Sequence, residues 1–286
     1  MKRKGILSIG ILLILTMVLV ACGQQEAPNG SGTESDGNGD KGTFVVGLEA
    51  DYAPFNWTQM DDSNGAVKMD GIAEYAGGFD VEIAKRIAEG LGKELVIKKI
   101  EWDGLLPAVN SGVVDAIIAG MSPTEERAQE IDFTAPYYKS DLVMVVRKGG
   151  GYENATSIQD FSGAKVAAQQ ATFHDTVIDQ IEGVIHETPM ANFSAMRVAL
   201  ESGIIDGYVT ERPEAVSAAA ANENFTFVEF EDGFEASDED IAVAVGLKKG
   251  STELVEKINK ILEEITEEER QEIMDQAIKN QPASEE

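Results

Sequence analysis

The apolar positions divide the chain into three parts. A basic start at positions 2–4 leads into a mostly apolar run from Ile6 to Val20, and a polar stretch from Gly23 to Gly42 follows it. From Thr43 onward, short apolar runs alternate with segments whose apolar residues recur every three or four positions. The last pattern predicts alternating strands and helices, because side chains on one face of a helix recur at that spacing.

The region from Thr43 to Ala119 predicts strand, helix, strand, helix and strand in that order. Its expected elements are strands at 43–48, 95–97 and 115–119 and helices that begin at Asp80 and Asp103. This order is typical of an α/β domain with a largely parallel sheet. Since such sheets bind ligands outside the carboxyl ends of their strands, we expect site residues in the loops after Leu48 and Ala119.

A second set of strands and helices is predicted after Asp141. Its expected elements are strands at 142–146, 165–168, 204–209 and 241–247 and helices at 174–181, 192–201, 214–222 and 251–265. Thr266 and Glu269 have the spacing of a capping box, which predicts that a last helix begins there. Each set has the size of an ordinary domain.

The start of the chain has the pattern of an export signal. A basic start, a short apolar core and the small residue Ala21 are typical of a signal peptide, and the core is shorter than the about 20 residues of a membrane-spanning helix. We predict a signal peptide over 1–21 and a flexible tether over 22–42, which is too polar to bury apolar surface.

The only cysteine, Cys22, follows this signal. The tetrapeptide from Leu19 to Cys22 resembles the lipobox of bacterial lipoproteins. The resemblance implies that Cys22 is acylated and anchors the chain to the outer face of the cell membrane. The alternative is a buried cysteine inside a membrane anchor.

Composition narrows the classes of function. The formal net charge of −28 at pH 7 disfavours binding to nucleic acid and anionic lipid headgroups and weakly favours cationic solutes. The two histidines, His174 and His186, have no paired cysteine, so a zinc site is not expected. The sequence also has no nucleophile elbow and no phosphate-binding glycine loop. We therefore predict no metal, no cofactor and no catalytic residue.

Several stretches of the chain resemble one known family. They are 112–127 with its continuation at 132–138, and then Tyr52–Phe55, Gly78–Val81 and Trp102–Pro107. Their order and spacing resemble the bacterial extracellular solute-binding proteins of family 3, the amino-acid-binding proteins of ABC importers. The resemblance implies a type II periplasmic-binding-protein-like α/β fold, in which two lobes joined by two hinge segments close on a ligand.

The resemblance also implies how the chain is divided. Lobe 2, at 142–236, is expected as an insertion into lobe 1, which is formed by 43–138 and 240–286. We expect a monomer that delivers a free amino acid to a membrane permease. A same-fold enzyme such as a dehydratase and a sensory domain are the alternatives.

The resemblance assigns the ligand carboxylate to Arg127, whose guanidinium makes planar, bidentate hydrogen bonds. Ser122 and the backbone near Ala119 and Gly120 are expected to support it at the start of a helix. The alternative is a surface arginine that pairs with a glutamate next to it.

The resemblance assigns the ligand ammonium to Glu211, at a position where the family usually has aspartate. The alternative is that Glu211 pairs with Arg212. Thr172 is expected to bond the ligand carboxylate and Phe173 to add an apolar wall. Ala171 and Phe173 depart from the glycine and the hydroxyl residue usual in the family.

The side chain of the ligand is expected to lie among Glu49, Tyr52, Trp57 and Trp102. Tyr52 and Trp102 occupy positions that sandwich the ligand in the family, and aromatic faces beside a carboxylate suit a cation. We predict a basic amino acid, arginine before lysine or histidine. Glutamine or another polar amino acid is the alternative ligand, and simple packing is the alternative role for the three aromatic residues.

Overall fold

A computed structural model describes residues 42–282 of the chain. The predicted signal peptide (1–21), Cys22 and the tether up to residue 41 lie outside the described residues, as do residues 283–286. Within the described range, no helix combines the length and the apolar composition that crossing a membrane requires.

Short strands alternate with helices along the described chain. The strands are β1 (Thr43–Leu48), β2 (Asp51–Tyr52), β3 (Asn56–Gln59), β4 (Val67–Lys68), β5 (Tyr75–Gly77), β6 (Glu94–Lys99), β7 (Ala116–Ile117), β8 (Ile131–Phe133), β9 (Tyr138–Lys139), β10 (Leu142–Arg147), β11 (Lys165–Ala167), β12 (Ile185–His186), β13 (Gly207–Glu211), β14 (Phe225–Val228), β15 (Ala242–Val243) and β16 (Gly246–Lys248). The α-helices are α1 (Phe79–Gly90), α2 (Leu105–Ser111), α3 (Glu125–Glu130), α4 (Phe173–Val177), α5 (Phe193–Glu201), α6 (Arg212–Ala221), α7 (Thr252–Glu263) and α8 (Glu267–Asn280).

The first large sheet has the strand order β6-β1-β7-β16-β8. β1 runs parallel to β6 and β7, whereas β16 runs antiparallel to β7 and β8. Helix α1 buries Ile83, Ala84 and Ile87 because these residues recur at helical spacing and form one apolar face. Since β16 comes from the C-terminal part of the chain, this sheet contains residues from both ends of the described range.

The second large sheet has the strand order β12-β11-β13-β10-β14. β11 runs parallel to β12 and β13, and β10 runs antiparallel to β13 and β14. Helices α5 and α6 pack on this sheet. We use lobe 1 for the first sheet with the elements that pack on it, and lobe 2 for the second sheet with its own. The whole is mixed α/β.

Two short strands lie where the chain passes between the sheets. β9 and β15 pair antiparallel, with Tyr138 opposite Val243 and Lys139 opposite Ala242. They lie next to the crossings expected at 138–141 and 236–240. The lobe boundaries derived from the sequence stay a prediction.

The structure differs from the sequence prediction between residues 51 and 77. The sequence predicts a loop after Leu48 and no strand from there to residue 95, but β2, β3, β5 and β4 form a four-stranded sheet in that order. Strands of two to four residues are too short for an alternating pattern to be visible. The sheet therefore depends on pairing between segments and not on local sequence.

Two predicted elements are divided in the structure. The strand expected at 241–247 is two strands, β15 and β16, and between them the backbone N–H of Ala244 donates to Met121 O. The helix expected at 174–181 is the short α4 followed by a 3₁₀ turn at Ile178–Gln180. The capping box is confirmed, since Glu269 N donates to Thr266 Oγ1 and Thr266 N donates to Glu269 Oε2.

Candidate functional site

A small cavity lies between the two lobes. Its lining comes from lobe 1 (Tyr52, Trp102, Gly120, Ser122 and Arg127) and from lobe 2 (Gln169, Thr172, Phe173 and His174). All of these except Gln169 and His174 are site residues predicted from the sequence. Most of them follow the carboxyl ends of β1, β7 and β11, which is the edge where parallel sheets bind ligands.

Arg127 connects the two walls of the cavity. Its Nη1 donates to Ser122 O at 2.9 Å, and its Nη2 donates across the lobes to Ala171 O at 2.9 Å. Its guanidinium lies 5.1 Å from the centroid of the Trp102 ring, a cation–π contact. Burial lowers the pKa of Arg127 to about 10, so the side chain stays charged at neutral pH. Neither adjacent glutamate forms an ion pair with it within residues 42–282.

Glu211 ends β13 and is 3% exposed. Its carboxylate accepts hydrogen bonds from the Tyr52 hydroxyl of lobe 1 and from Thr210 Oγ1, and His174 Nε2 lies 3.0 Å from its Oε1. Burial alone raises the pKa of Glu211, but the charge of His174 and the hydrogen bonds outweigh it and hold this pKa below its usual value. Arg212 pairs with Glu229 instead. A charged carboxylate therefore lies behind the lining residues Tyr52 and His174.

Glu49 follows β1 directly and is also 3% exposed. Gln169 Nε2 donates to Glu49 Oε2 at 3.1 Å, which joins the lobes at a second point. Burial, helped by the charge of Asp51, raises the pKa of Glu49 to about 8. The side chain is therefore mostly protonated at neutral pH unless a positive group lies beside it.

Gly120 lets the backbone pass close to an aromatic ring. Its φ is +60°, and a Cβ built on it would lie 2.5 Å from Tyr52 Cε1. The Tyr52 ring stacks on Phe193 of lobe 2 with 4.3 Å between centroids and 5° between planes. A glycine is required here because any side chain would displace this stacked ring.

The cavity opens into a larger acidic cleft. The two spaces share Trp102, Arg127, Thr172 and Phe173. The other charged residues that line the cleft are Asp103, Glu125, Glu126, Glu130, Asp175, Glu235, Glu239 and Asp240. Such a lining concentrates cations at the entrance and repels anions.

Four predicted site residues do not line this cavity. Glu49 and Glu211 lie behind residues that do, Glu49 bonded to Gln169 and Glu211 in contact with Tyr52 and His174. Ala119 is fully buried one position before Gly120. Trp57 lines a different pocket, between β3, α1 and α8, and its Nε1 donates to Gln59 Oε1 at 2.8 Å. The structure thus does not bring Trp57 together with the other predicted residues.

Gln169 and His174 line the cavity but were not predicted as site residues. Both flank the segment of Ala171 to Phe173 that the resemblance had singled out. Their proximity to that segment was the available signal, since a loop that contributes one side chain to a cavity commonly contributes its neighbours.

Comparisons with known proteins agree with the motifs in the sequence. A family model described as "Bacterial extracellular solute-binding proteins, family 3" matches residues 44–280. The chain is 28% identical over 256 residues to the "Arginine-binding extracellular protein ArtP" of Bacillus subtilis (strain 168), and the match covers 88% of each protein. It is also 28% identical over 285 residues to the "ABC transporter glutamine-binding protein GlnH" of the same organism, with 98% of this chain and 99% of that protein covered.

A solved structure shares the fold over most of the chain. It is the amino acid ABC transporter substrate-binding protein AbpA from Streptococcus pneumoniae Canada MDR_19A bound to L-arginine. The TM-score is 0.70 at 30% sequence identity, and the likeness covers 84% of this chain and 95% of that chain.

Proposed function

Because the chain belongs to the bacterial extracellular solute-binding proteins of family 3, we propose that it captures a basic amino acid, arginine before lysine or histidine, for an ABC importer. Membership confirms the predicted resemblance, and the similar solved structures confirm the predicted fold class. The family and the curated relatives are solute-binding proteins for amino acids and not enzymes.

The observation that carries the proposal is a pair of opposite charges on opposite lobes: Arg127 lines the cavity, and Glu211 contacts the lining residues Tyr52 and His174. A free amino acid carries a carboxylate and an ammonium, and each must be paired when it leaves water. We assign the carboxylate to Arg127, with Ser122 and the backbone near Gly120, and the ammonium to Glu211. Bidentate pairing suits a guanidinium and a carboxylate.

Thr172 is less suited than Arg127 to bind the ligand carboxylate. Its hydroxyl donates to Gln169 O at 2.7 Å, so its single hydrogen is already used in this arrangement. Phe173 lines the cavity as an apolar wall. We therefore assign the carboxylate mainly to the lobe 1 residues.

Charge favours a cationic side chain. The entrance to the cavity is acidic, and a guanidinium beside Glu49 would favour the ionised form of this buried carboxyl group. The ring of Trp102 lines the cavity and adds an aromatic surface on which a guanidinium stacks well, whereas the ring of Tyr52 is already stacked on Phe193.

Glutamine is the second candidate, and one observation favours it. A Glu49 side chain with a pKa of about 8 is neutral at pH 7 and both donates and accepts hydrogen bonds, which suits an amide. The curated relatives matched include an arginine-binding and a glutamine-binding protein.

Closure of the lobes follows from contacts that cross between them. They are Tyr52 to Glu211, Gln169 to Glu49, Arg127 to Ala171 O, and Ser194 Oγ to Asp51 Oδ1. A ligand that binds both walls adds further contacts only in the closed state and so shifts the population towards it. The closed form then docks on the permease and delivers the amino acid.

The anchor belongs to the same proposal. The family is extracellular, and a lipid on Cys22 with the tether of 22–42 would hold the binding lobes beside their transporter. Mass spectrometry of the mature N-terminus tests this, since an unmodified chain that begins elsewhere would remove the anchor.

Calorimetry with the twenty amino acids at pH 7 tests the ligand. We expect tight binding of arginine, with lysine and histidine weaker. No binding of any amino acid would refute the proposal, and glutamine binding more tightly than arginine would correct its specificity.

A further inference from the structure

A buried carboxylate lies behind the lobe 1 wall of the cavity. Asp80 is the second residue of α1 and is 0% exposed. It belongs to Gly78–Val81, one of the stretches that carry the family resemblance, and the site described above gives this stretch no role. Because a carboxylate is costly to remove from water unless hydrogen bonds satisfy it, the bonds that Asp80 makes indicate what it does there.

One oxygen of Asp80 is connected to the loop after β7. The hydroxyl of Tyr137, which is also fully buried, donates to Asp80 Oδ1 at 2.7 Å and accepts from Gly120 N at 3.3 Å. Gly120 lines the cavity and has a φ of +60°. These two consecutive hydrogen bonds therefore fix the backbone that leads to Ser122.

The other oxygen of Asp80 is connected to the loop after β1. Asn56 Nδ2 donates to Asp80 Oδ2 at 2.8 Å, and Asn56 Oδ1 accepts from Ala50 N at 2.8 Å. Ala50 has a φ of +54°, in the left-handed region that residues other than glycine rarely adopt. Such a conformation persists only where its surroundings hold it, and Thr58 Oγ1 also donates to the carbonyl of Ala50 at 2.9 Å. Since Glu49 directly precedes Ala50, this strained backbone sets the direction of Glu49.

We propose that Asp80 is a positioning residue that holds both ligand-facing loops of lobe 1 through Tyr137 and Asn56. It acts through these side chains, since it is buried away from the cavity. The inference rests on the proposed function, which assigns the two loops to different parts of an amino acid. The Tyr137 branch fixes the backbone assigned to the ligand carboxylate, which every amino acid has, whereas the Asn56 branch fixes Glu49, which faces the ligand side chain in that assignment.

An exchange of the amide and the carboxylate tests the connection itself. In Asp80→Asn two amide groups lie side by side, so the bond with Asn56 or the bond with Tyr137 is lost. In the double variant Asn56→Asp/Asp80→Asn the donor and the acceptor change places, and the bonds to Ala50 N and from Tyr137 are kept. We expect calorimetry with L-arginine at pH 7.5 to show a loss of affinity of about 10-fold for Asp80→Asn, the effect of one hydrogen bond to a charged group. The double variant should return to within about 3-fold of the wild type.

Separate substitutions in the two branches give a readout that a general loss of stability would not change. Tyr137→Phe should weaken L-arginine and L-glutamine by the same factor, about 3- to 10-fold, because it affects the carboxylate end that both ligands share. Asn56→Ala should weaken L-arginine at least about 3-fold more than L-glutamine, because Glu49 is then no longer held. A lower urea midpoint alone would leave the ratio of the two affinities unchanged. Tyr152→Phe, on a ring stacked against Phe161 in lobe 2, is the matched control and should bind as the wild type does.

The outcomes distinguish this inference from the function on which it rests. If the wild type binds amino acids but the double variant binds as weakly as Asp80→Asn, or if Asn56→Ala leaves the ratio of the two affinities unchanged, the role of Asp80 is refuted and the amino-acid site stands. If Asp80→Asn alone does not fold, the double variant is compared with the wild type directly, and a loss greater than about 3-fold there, or wild-type affinity in Tyr137→Phe, refutes the role. If no amino acid binds the wild type, the proposed function fails and the inference fails with it.

Discussion

The ionisation of Glu49 is expected to set how arginine binding depends on pH. Burial raises the pKa of this side chain to about 8 in the ligand-free protein, but a guanidinium beside it requires the ionised form. Glu49 must therefore lose a proton when arginine binds below pH 8. The affinity for arginine is therefore highest above this pKa and falls as the pH drops below it.

The magnitude follows from the pKa. One unit corresponds to about 1.36 kcal/mol, so ionising Glu49 at pH 6 costs about 2.7 kcal/mol. The affinity for arginine should therefore be about 100-fold weaker at pH 6 than well above pH 8. Glutamine has an uncharged side chain and does not require Glu49 to ionise, so its affinity should change little between pH 6 and pH 8.

Calorimetry at pH 6, 7 and 8 with both ligands measures the effect, and buffers of different ionisation enthalpy count the released protons. Glu49→Gln should remove the pH dependence of arginine binding and weaken it at pH 8 by about 10- to 100-fold, since hydrogen bonds to charged groups contribute about 1.5–3 kcal/mol. Glu94→Gln, on an exposed position of β6, is the matched control. Equal arginine affinities at pH 6 and 8, or a pH dependence that persists in Glu49→Gln, would refute the reasoning.

Three further substitutions test other parts of the molecule. Arg127→Ala should weaken amino-acid binding by at least about 100-fold because it removes a charge-assisted bidentate pair. Calorimetry measures this loss, with the surface variant Arg86→Ala as the control. Unchanged affinity would remove Arg127 from the site. Gly120→Ala should destabilise the protein by about 1–3 kcal/mol, because its Cβ would lie 2.5 Å from the Tyr52 ring at a φ of +60°; a urea midpoint equal to that of the wild type would contradict this. His186 lies 2.8 Å from an aspartate at each ring nitrogen; partial burial lowers its pKa, but these hydrogen bonds outweigh it and raise the pKa. The stabilisation by His186 is therefore full below about pH 6.5 and is lost as the pH rises through the raised pKa. His186→Gln should lower the urea midpoint at pH 5.5 and lower it much less at pH 8.5. An equal loss at both pH values would count against the ion pairs.

Much of the site was visible in local sequence. Gly120, Ser122 and Arg127 lie within one short stretch, and a motif of fixed spacing at the end of a strand places its side chains on one wall without knowledge of the rest of the fold. The same holds for Thr172 and Phe173. The α/β class followed from the alternation of strand and helix patterns, because each pattern is a local property of the chain.

Contacts between distant segments could not be predicted in this way. Tyr52 and Glu211 are separated by 159 positions and Glu49 and Gln169 by 120, and nothing in the local pattern shows that either pair meets. The same limit explains Trp57, an aromatic residue of the kind found in ligand sites that packs beside α1 and α8 instead. It also explains the small sheet between residues 51 and 77.

The chain's motifs therefore determine the family, the fold class and one wall of the cavity, since these depend on residues close together in sequence. The folded structure decides which acids become buried, which partner each one meets and how its pKa shifts. Those properties depend on the surroundings of Glu49 and Glu211 in three dimensions, where burial and distance set the cost of a charge.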